Sequence, residues 1–191
     1  MCFIALRRPI FETLYTHMTL KAKLKYIAGA LLCFLALGLA VPEDPVIPVA
    51  GATAADWNQQ SFWYEPWGSS GVHKGIDIFG ATGTPVVSST AGLVLYSGQL
   101  NKGGNVVVVL GPKWRLHYYA HLESRDAVIG TWLAGSEQLG TLGTSGNAVG
   151  KQPHLHYSIL SLVPLPWLAT SESQGWKRMF YIDPIDRFGS G

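Results

Sequence analysis

The sequence predicts a mainly β protein, in which a largely antiparallel sheet, folded over or packed as a sandwich, follows an N-terminal apolar leader helix. Charged residues make up only 14% of the 191 residues and apolar residues 48%, a balance typical of folded chains. The 22 glycines and 11 prolines, with many valines and aromatic residues, favour short strands joined by turns. The length suits one compact domain behind a leader.

The leader, residues 1–41, has the pattern of an export signal. Tyr26 to Val41 is an uninterrupted apolar run of 16 residues. Three lysines precede it: Lys21, Lys23 and Lys25. A buried core helix is the alternative, but a run that is apolar on every face behind three lysines favours a signal peptide or an uncleaved signal anchor. Met18 begins a compact signal sequence of its own, so we interpret residues 1–17 as an extension upstream of the true start.

Two candidate cleavage sites compete for the end of the leader. Gly38-Leu39-Ala40 and Ala52-Thr53-Ala54 both offer small residues at the required spacing. Residues 42–60 are predicted to form a linker, stiff and extended where Pro42–Pro48 is rich in proline. We therefore expect an exported protein, periplasmic or extracellular, which residues 26–41 would anchor to the inner membrane if the leader is kept.

Charge and cysteine usage limit what the chain after the leader, residues 42–191, can do. Residues 1–41 hold five of the 14 Lys and Arg residues and one of the 12 Asp and Glu residues, so the remainder has nine basic and eleven acidic residues, a net charge of −2. That balance gives no bias toward nucleic acid. Both cysteines, Cys2 and Cys33, lie in the leader, which excludes a disulfide framework and a cysteine nucleophile from the folded part.

Strands and turns follow in order along residues 61–191, the predicted domain. Five segments are predicted as strands: Thr84–Ser89, Leu93–Ser97, Asn105–Leu110, Trp114–Ala120 and His154–Leu160. Four glycine-containing segments are predicted as turns: Gly80–Gly83, Gly103-Gly104, Gly111-Pro112 and Thr144–Gly150. Val106–Val109 has no polar alternation, which indicates a central strand buried on both faces.

Five of the six histidines fall in this domain, in three groups. In a straight strand His73 and Asp77 would share a face but stand about 13 Å apart, so Gly75 would have to permit a bend for both to bind one ion. His154 and His156 share a strand face, about 6.6 Å apart, which suits two ligands, one ligand and one base, or simply two exposed histidines.

The third group lies on the predicted strand Trp114–Ala120 and continues just past its end. Alternation puts His117, Tyr119 and His121 on one face, where the two histidines could be ligands, bases or substrate contacts. Taken singly, each histidine of the chain is more often a hydrogen-bonded or surface residue than a ligand. Their grouping indicates a site.

The three groups resemble the lysostaphin/LytM metallopeptidase family in order and separation: His73-Lys74-Gly75-Ile76-Asp77, Tyr119-Ala120-His121-Leu122 and His154-Leu155-His156. The similarity extends over residues 61–188 through four further motifs: Gly83-Thr84-Pro85-Val86, Gly103-Gly104-Asn105-Val106, Gly143-Thr144-Ser145-Gly146-Asn147 and Ile182-Asp183-Pro184. The resemblance implies the LytM fold of duplicated hybrid-motif type and one Zn²⁺ held by His73, Asp77 and His156. It implies His121 and His154 as catalytic histidines.

The resemblance also implies hydrolysis of a peptide bond in cell-wall peptidoglycan, in a cross-bridge or a stem peptide. Two imidazoles and one carboxylate leave an open position on zinc, as in catalytic sites. The chain has no His-Glu-x-x-His segment, so His121 and His154 are the expected acid–base groups. We expect a monomer that meets the membrane only through its leader.

Candidate substrate contacts are Tyr119, His117, Asn147 and Trp167, with core packing as the alternative for the aromatic residues. Glu123 and Asp126 could orient an imidazole. Two other functions compete: a non-catalytic LytM-type module that binds the wall or activates another hydrolase, and a histidine phosphocarrier. The intact set of five residues disfavours the first, and the leader and Asp77 disfavour the second.

Overall fold

The computed structural model describes residues 19–188 and divides into two compact units, one ending at Ala40 and the other beginning at Val41. The predicted start at Met18, the upstream extension and Cys2 lie outside the described residues.

In the described part of the first unit, residues 19–40, a helix, α1, spans Leu20–Ala40. Thr19 begins it, because the side-chain hydroxyl of Thr19 accepts a hydrogen bond from the backbone N–H of Ala22 at 3.3 Å. None of the helix residues is buried, and its most apolar window has a mean hydropathy of 1.7. By length and composition α1 could cross a membrane, a test that a signal sequence also passes. The expected apolar leader helix is confirmed.

The second unit is built on nine strands that form one antiparallel sheet. In chain order they are β1 (Ile76–Phe79), β2 (Pro85–Val87), β3 (Gly92–Leu100), β4 (Gly104–Gly111), β5 (Arg115–Arg125), β6 (Trp132–Leu133), β7 (Gln138–Leu142), β8 (His154–Ser161) and β9 (Tyr181–Ile182). The main path is β1-β8-β5-β4-β3-β6, with β7 joining β2 to β5 and β9 beside β8. The mainly β, antiparallel prediction is confirmed.

Strand β8 runs between β1 and β5, and its register defines the functional face of the sheet. Asp77 of β1 and Ala120 of β5 both stand opposite His156, and Phe79 stands opposite His154. Residues opposite each other in antiparallel strands point to the same face. The register therefore brings side chains from three strands together around His156.

The other face of these strands forms the core. Tyr119 and Tyr157, also opposite each other, are fully buried, as are Leu155 and Ile159. In β4, Val106, Val107 and Val109 are buried and Val108 is partly exposed, close to the predicted central strand.

The segment 42–60, predicted as a linker, lies along the second unit. Val49 is buried in the core and bridges Val86 of β2, while Trp57 packs against Phe188 with ring centroids 5.6 Å apart. The side chain of Glu43 is also buried and contacts Arg115. The segment contributes to the core of the domain.

Candidate metal centre

Three side chains converge where β1 pairs with β8: His73 from the segment before β1, Asp77 from β1 and His156 from β8. The Nε2 atom of His73 lies 3.1 Å from Oδ1 of Asp77 and 3.0 Å from Nδ1 of His156, and that Nδ1 lies 2.9 Å from the same carboxylate oxygen. Zinc bonds of about 2.0–2.2 Å at tetrahedral angles separate ligand atoms by about 3.3–3.6 Å. The observed triangle is a few tenths of an ångström tighter, so these three donors fit one ion of that size.

The orientation of His73 supports the same fit. Its Nδ1 lies 2.9 Å from the backbone carbonyl of Ser61, which can only accept, so Nδ1 carries the proton and Nε2 offers a lone pair. The indole of Trp67 stacks on this imidazole at a centroid distance of 3.9 Å. A lone pair aimed at a carboxylate is favourable only with a cation or a proton between them.

The separation of about 13 Å expected in a straight strand does not arise, because β1 begins only at Ile76 and His73 lies in the preceding bend. Gly75 makes the bend possible. A Cβ at that position would lie 2.4 Å from the carbonyl oxygen of Tyr157, so only glycine lets this segment approach β8 so closely.

The carboxylate of Asp77 is held in its ionised form. Burial by itself raises the pKa of Asp77, but hydrogen bonds and positive charge from His156 and His73 outweigh that effect and leave the pKa well below its usual range. An ionised carboxylate is the form that binds metal.

Two further imidazoles flank this group. The ring of His154 lies 5.0 Å from the ring of His121 by centroids, and its Nε2 lies 4.0 Å from Oδ2 of Asp77. Each ring has its Nδ1 beside a backbone carbonyl, Gln152 for His154 at 2.8 Å and Ser145 for His121 at 2.9 Å. Both Nε2 atoms are therefore free to exchange a proton.

His121 reaches this face through a bulge in β5. Asn105 pairs with Leu122 and Val107 with Tyr119, so two residues of β5, Ala120 and His121, stand opposite a single residue of β4. His121 has a φ of 64°, in the left-handed region. Burial lowers the pKa of His121 to about 4, with the carbonyl contact opposing and the charges of neighbouring imidazoles assisting.

The bulge corrects the prediction that His117, Tyr119 and His121 share a face. His117 and Tyr119 are fully buried on the core side, so neither can contact a substrate in the cavity. The hydroxyl of Tyr119 accepts a hydrogen bond from the N–H of Ser89 at 2.8 Å. His117 lies 2.6 Å from the hydroxyl of Tyr157, through Nδ1. Both residues stabilise the core.

Two loops hold the bulge in place by direct backbone contact. The N–H of Asn147 donates to the carbonyl of Lys102 at 2.9 Å, and the N–H of His121 donates to the carbonyl of Gly103 at 2.8 Å. A Cβ on Gly146, whose φ is 68°, would lie 2.3 Å from the backbone nitrogen of Gly104. The turn before β4 and the turn before β8 thus fix His121 together.

The cluster faces an open cavity of about 320 Å³, at the lower end of the range of ligand sites. Residues from six segments line it: Trp67, Gly68, Ser69, Ser70, Asp77, Phe79, Lys102, His121, Asn147, Lys151, Gln152, His154 and His156. A neighbouring depression shares several of these and adds His73, Lys74 and Tyr118. Asn147, a predicted substrate contact, lies on the wall of both.

Trp167 is not among the residues that line either hollow and is 76% exposed. Glu123 and Asp126 do not orient an imidazole, since carbonyl groups occupy that position and Asp126 accepts from Gln138 and Ser124 instead. Sequence reasoning missed Trp67 and Ser61. Trp67 is one of five aromatic residues shortly before His73, and that cluster was the available signal: Trp57, Phe62, Trp63, Tyr64 and Trp67. Ser61 contacts His73 through its backbone carbonyl, which leaves no signal in the sequence.

Known proteins match the same part of the chain. The family model described as Peptidase family M23 matches residues 71–163. The cell division protein DipM of Caulobacter vibrioides is 31% identical over 124 residues, 63% of this chain and 20% of that protein. The L-Ala–D-Glu endopeptidase of Bacillus subtilis is 30% identical over 143 residues, 66% of this chain and 42% of that protein.

The catalytic domain of lysostaphin from Staphylococcus simulans has the same fold, with a TM-score of 0.55 at 23% identity over 71% of this chain and 96% of that domain. The chain spans less than half of the length of the two curated relatives. The resemblance to the lysostaphin/LytM family is confirmed, and residues 71–163 match the model of peptidase family M23.

Proposed function

We propose that the protein is a zinc-dependent endopeptidase that hydrolyses a peptide bond in bacterial peptidoglycan. The observation that carries the proposal is the convergence of five side chains, three with donor atoms about 3 Å apart and two imidazoles beside them. The names of the relatives support it, since they include an L-Ala–D-Glu endopeptidase and lysostaphin.

His73, Asp77 and His156 would hold the ion. Zinc, when bound, supplies a coordinated water whose pKa falls from about 15.7 to near 7, and it polarises a carbonyl group. The hydroxyl of Ser158 lies 3.1 Å from Nε2 of His156 and keeps that ring turned so that Nδ1 faces the carboxylate. The protein contributes three rigid ligands and leaves the cavity side open.

His121 and His154 would move the protons of the reaction. One Nε2 takes a proton from the attacking water, and the other stabilises the oxyanion or protonates the leaving amine. The low pKa of His121, about 4, keeps its imidazole neutral near pH 7 and so able to accept a proton. Such acid–base assistance contributes about 10²–10⁴ in rate.

We assign different roles to the leader and to the domain. Residues 1–41 act as a signal peptide or signal anchor, and residues 61–191 act as the hydrolase outside the cytoplasm. The packing of Glu43 and Val49 favours cleavage after Ala40 over cleavage after Ala54, which would remove both residues from the domain. The protein would work as a monomer, and its partner would be the peptide of the wall.

The test is digestion of purified peptidoglycan by the full chain in detergent, followed by mass spectrometry of the soluble fragments. Both diaminopimelate-type and pentaglycine-bridged walls would be offered, with His154→Ala as control and circular dichroism to show that it folds. We expect new amino termini from the unaltered protein and none from the variant. Binding to the wall without any cleavage would overturn the proposal and favour the non-catalytic module.

A further inference from the structure

Lysines surround the cavity of the candidate centre. Lys102 and Lys151 lie on the wall of the cavity itself, and Lys74 lies with Lys102 on the neighbouring depression. Among the residues described, Asp77 is the only acidic side chain that lines either hollow. Because Asp77 would be neutralised by the ion, the groove has a net positive charge although residues 42–191 have a net charge of −2.

The position of Lys102 is fixed by the loops that also fix His121. Its carbonyl accepts the N–H of Asn147, and its ammonium group donates to the hydroxyl of Ser69 at 2.7 Å, across the mouth of the cavity. Lys151 follows on the same loop as Asn147, where its N–H donates to the carbonyl of Ala148 at 3.0 Å. The backbones of Lys102 and Lys151 thus belong to the two loops that hold His121, and Ser69 places the ammonium group of Lys102.

We propose that the groove selects peptides that carry free carboxylates next to the scissile bond, and that Lys102 and Lys151 bind them. This inference rests on the proposed endopeptidase function. A stem peptide with D-isoglutamate and diaminopimelate has such carboxylates, whereas a pentaglycine bridge has none. Lys102 and Lys151 are both exposed, so a neutral peptide is discriminated against because it gains no ion pair with them.

The experiment compares two synthetic cross-linked stem dimers that differ only in charge, one with free side-chain carboxylates and one with all of them amidated. A pentaglycine peptide is the third substrate. The full chain, Lys102→Gln and Lys151→Gln are assayed for kcat and KM on each, with bound zinc measured in parallel. Lys113→Gln is the matched control, because Lys113 lies in the turn between β4 and β5 and lines neither hollow.

We expect kcat/KM for the carboxylate dimer to exceed that for the amidated dimer, mainly through KM, and the ratio to fall about fivefold in each groove variant. Added salt should lower the same ratio. Lys113→Gln should keep the ratio of the unaltered protein. Lys102→Arg should restore most of it, since the charge returns.

Two results would count against the inference and differ from failure of the function. Equal cleavage of both dimers, or loss on both dimers alike in the groove variants, would overturn the role of charge and leave the endopeptidase proposal standing. No cleavage of any of the three peptides would overturn the endopeptidase proposal itself.

Discussion

The imidazoles of the centre are oriented by backbone carbonyl groups. His121 shows the consequence most clearly, because the carbonyl of Ser145 sets its tautomer without adding a charge beside the ring. An acidic partner such as Glu123 would have raised the pKa of His121, whereas burial here lowers it. The sequence predicted that five side chains meet at one site: His73, Asp77, His121, His154 and His156. It did not predict the carbonyl groups that orient their imidazoles.

His117, unlike the imidazoles of the centre, is fully buried in the core. Burial, and then the positive charge of Arg115, lower the pKa of His117 to about 3. The carboxylate of Glu43 lies 3.3 Å from Nε2, and a negative charge at that distance favours the protonated imidazole. The folded protein thus binds fewer protons than the unfolded chain between pH 3 and 6.5. The contribution of His117 to the free energy of unfolding is fully present above about pH 6.5 and decreases as the pH drops toward 3.

The prediction from His117 concerns the free energy of unfolding in urea at pH 6.5 and pH 5, with a chelator present so that metal loss is not measured. We expect this residue to account for a decrease of up to about 2 kcal/mol, with Glu43 reducing that figure. His117→Gln should be less stable than the unaltered protein at pH 6.5 but should lose less on acidification. An equal loss in both proteins would show that His117 does not titrate in this range.

At the scale of the elements, the bulge in β5 accounts for the main error of interpretation. A period of two residues predicts that Tyr119 and His121 share a face, but the extra residue reverses every position after Ala120. No sequence pattern within residues 115–125 predicts the bulge. The cause lies in the contact between the turns that contain Gly104 and Gly146, which are distant in sequence.

That contact yields a prediction with a matched control. Gly146→Ala would force a Cβ to within 2.4 Å of the carbonyl oxygen of Lys102 and displace the turn that holds His121. We expect kcat/KM to fall about 100-fold while zinc binding is retained, because misplacement by about 1 Å has that effect. Gly150→Ala has a similar φ, 78°, but open space around the Cβ, so it should keep most activity.

If Gly146→Ala and Gly150→Ala lost activity equally, backbone strain at a positive φ would explain both, and the loop contact would have no separate role. Loss of zinc in Gly146→Ala would likewise contradict the separation of the metal group from His121.

At the scale of the whole molecule, much of the fold was predictable. The five predicted strands all exist as β2, β3, β4, β5 and β8, because each contains two or more β-branched or aromatic residues. The strands β6 and β9 are two residues long, too short for any period, and β7 carries a glycine in its middle. Strand β1 was obscured by the bend at Gly75.

The segment after the leader was harder to interpret. Its prolines indicated a stiff, extended chain, but three hydrogen bonds to the sheet hold it: Val46 N–H to Ser89, Ala50 N–H to Pro85, and Val87 N–H to Pro48. Proline-rich segments leave most of their backbone groups free to pair elsewhere, so composition alone does not distinguish a linker from an edge strand. The burial of Glu43 beside Arg115 is a tertiary property with no local signal.

The central claim is that His73, Asp77 and His156 hold one zinc ion while His154 serves the reaction. The most direct test is the zinc content of the purified full chain, beside His156→Ala and His154→Ala, with peptidoglycan hydrolysis assayed on the same samples. We predict about one zinc per chain in the unaltered protein, loss of zinc and activity in His156→Ala, and loss of activity with most of the zinc kept in His154→Ala. Equal loss of zinc from the two variants, or full zinc in His156→Ala, would contradict the account.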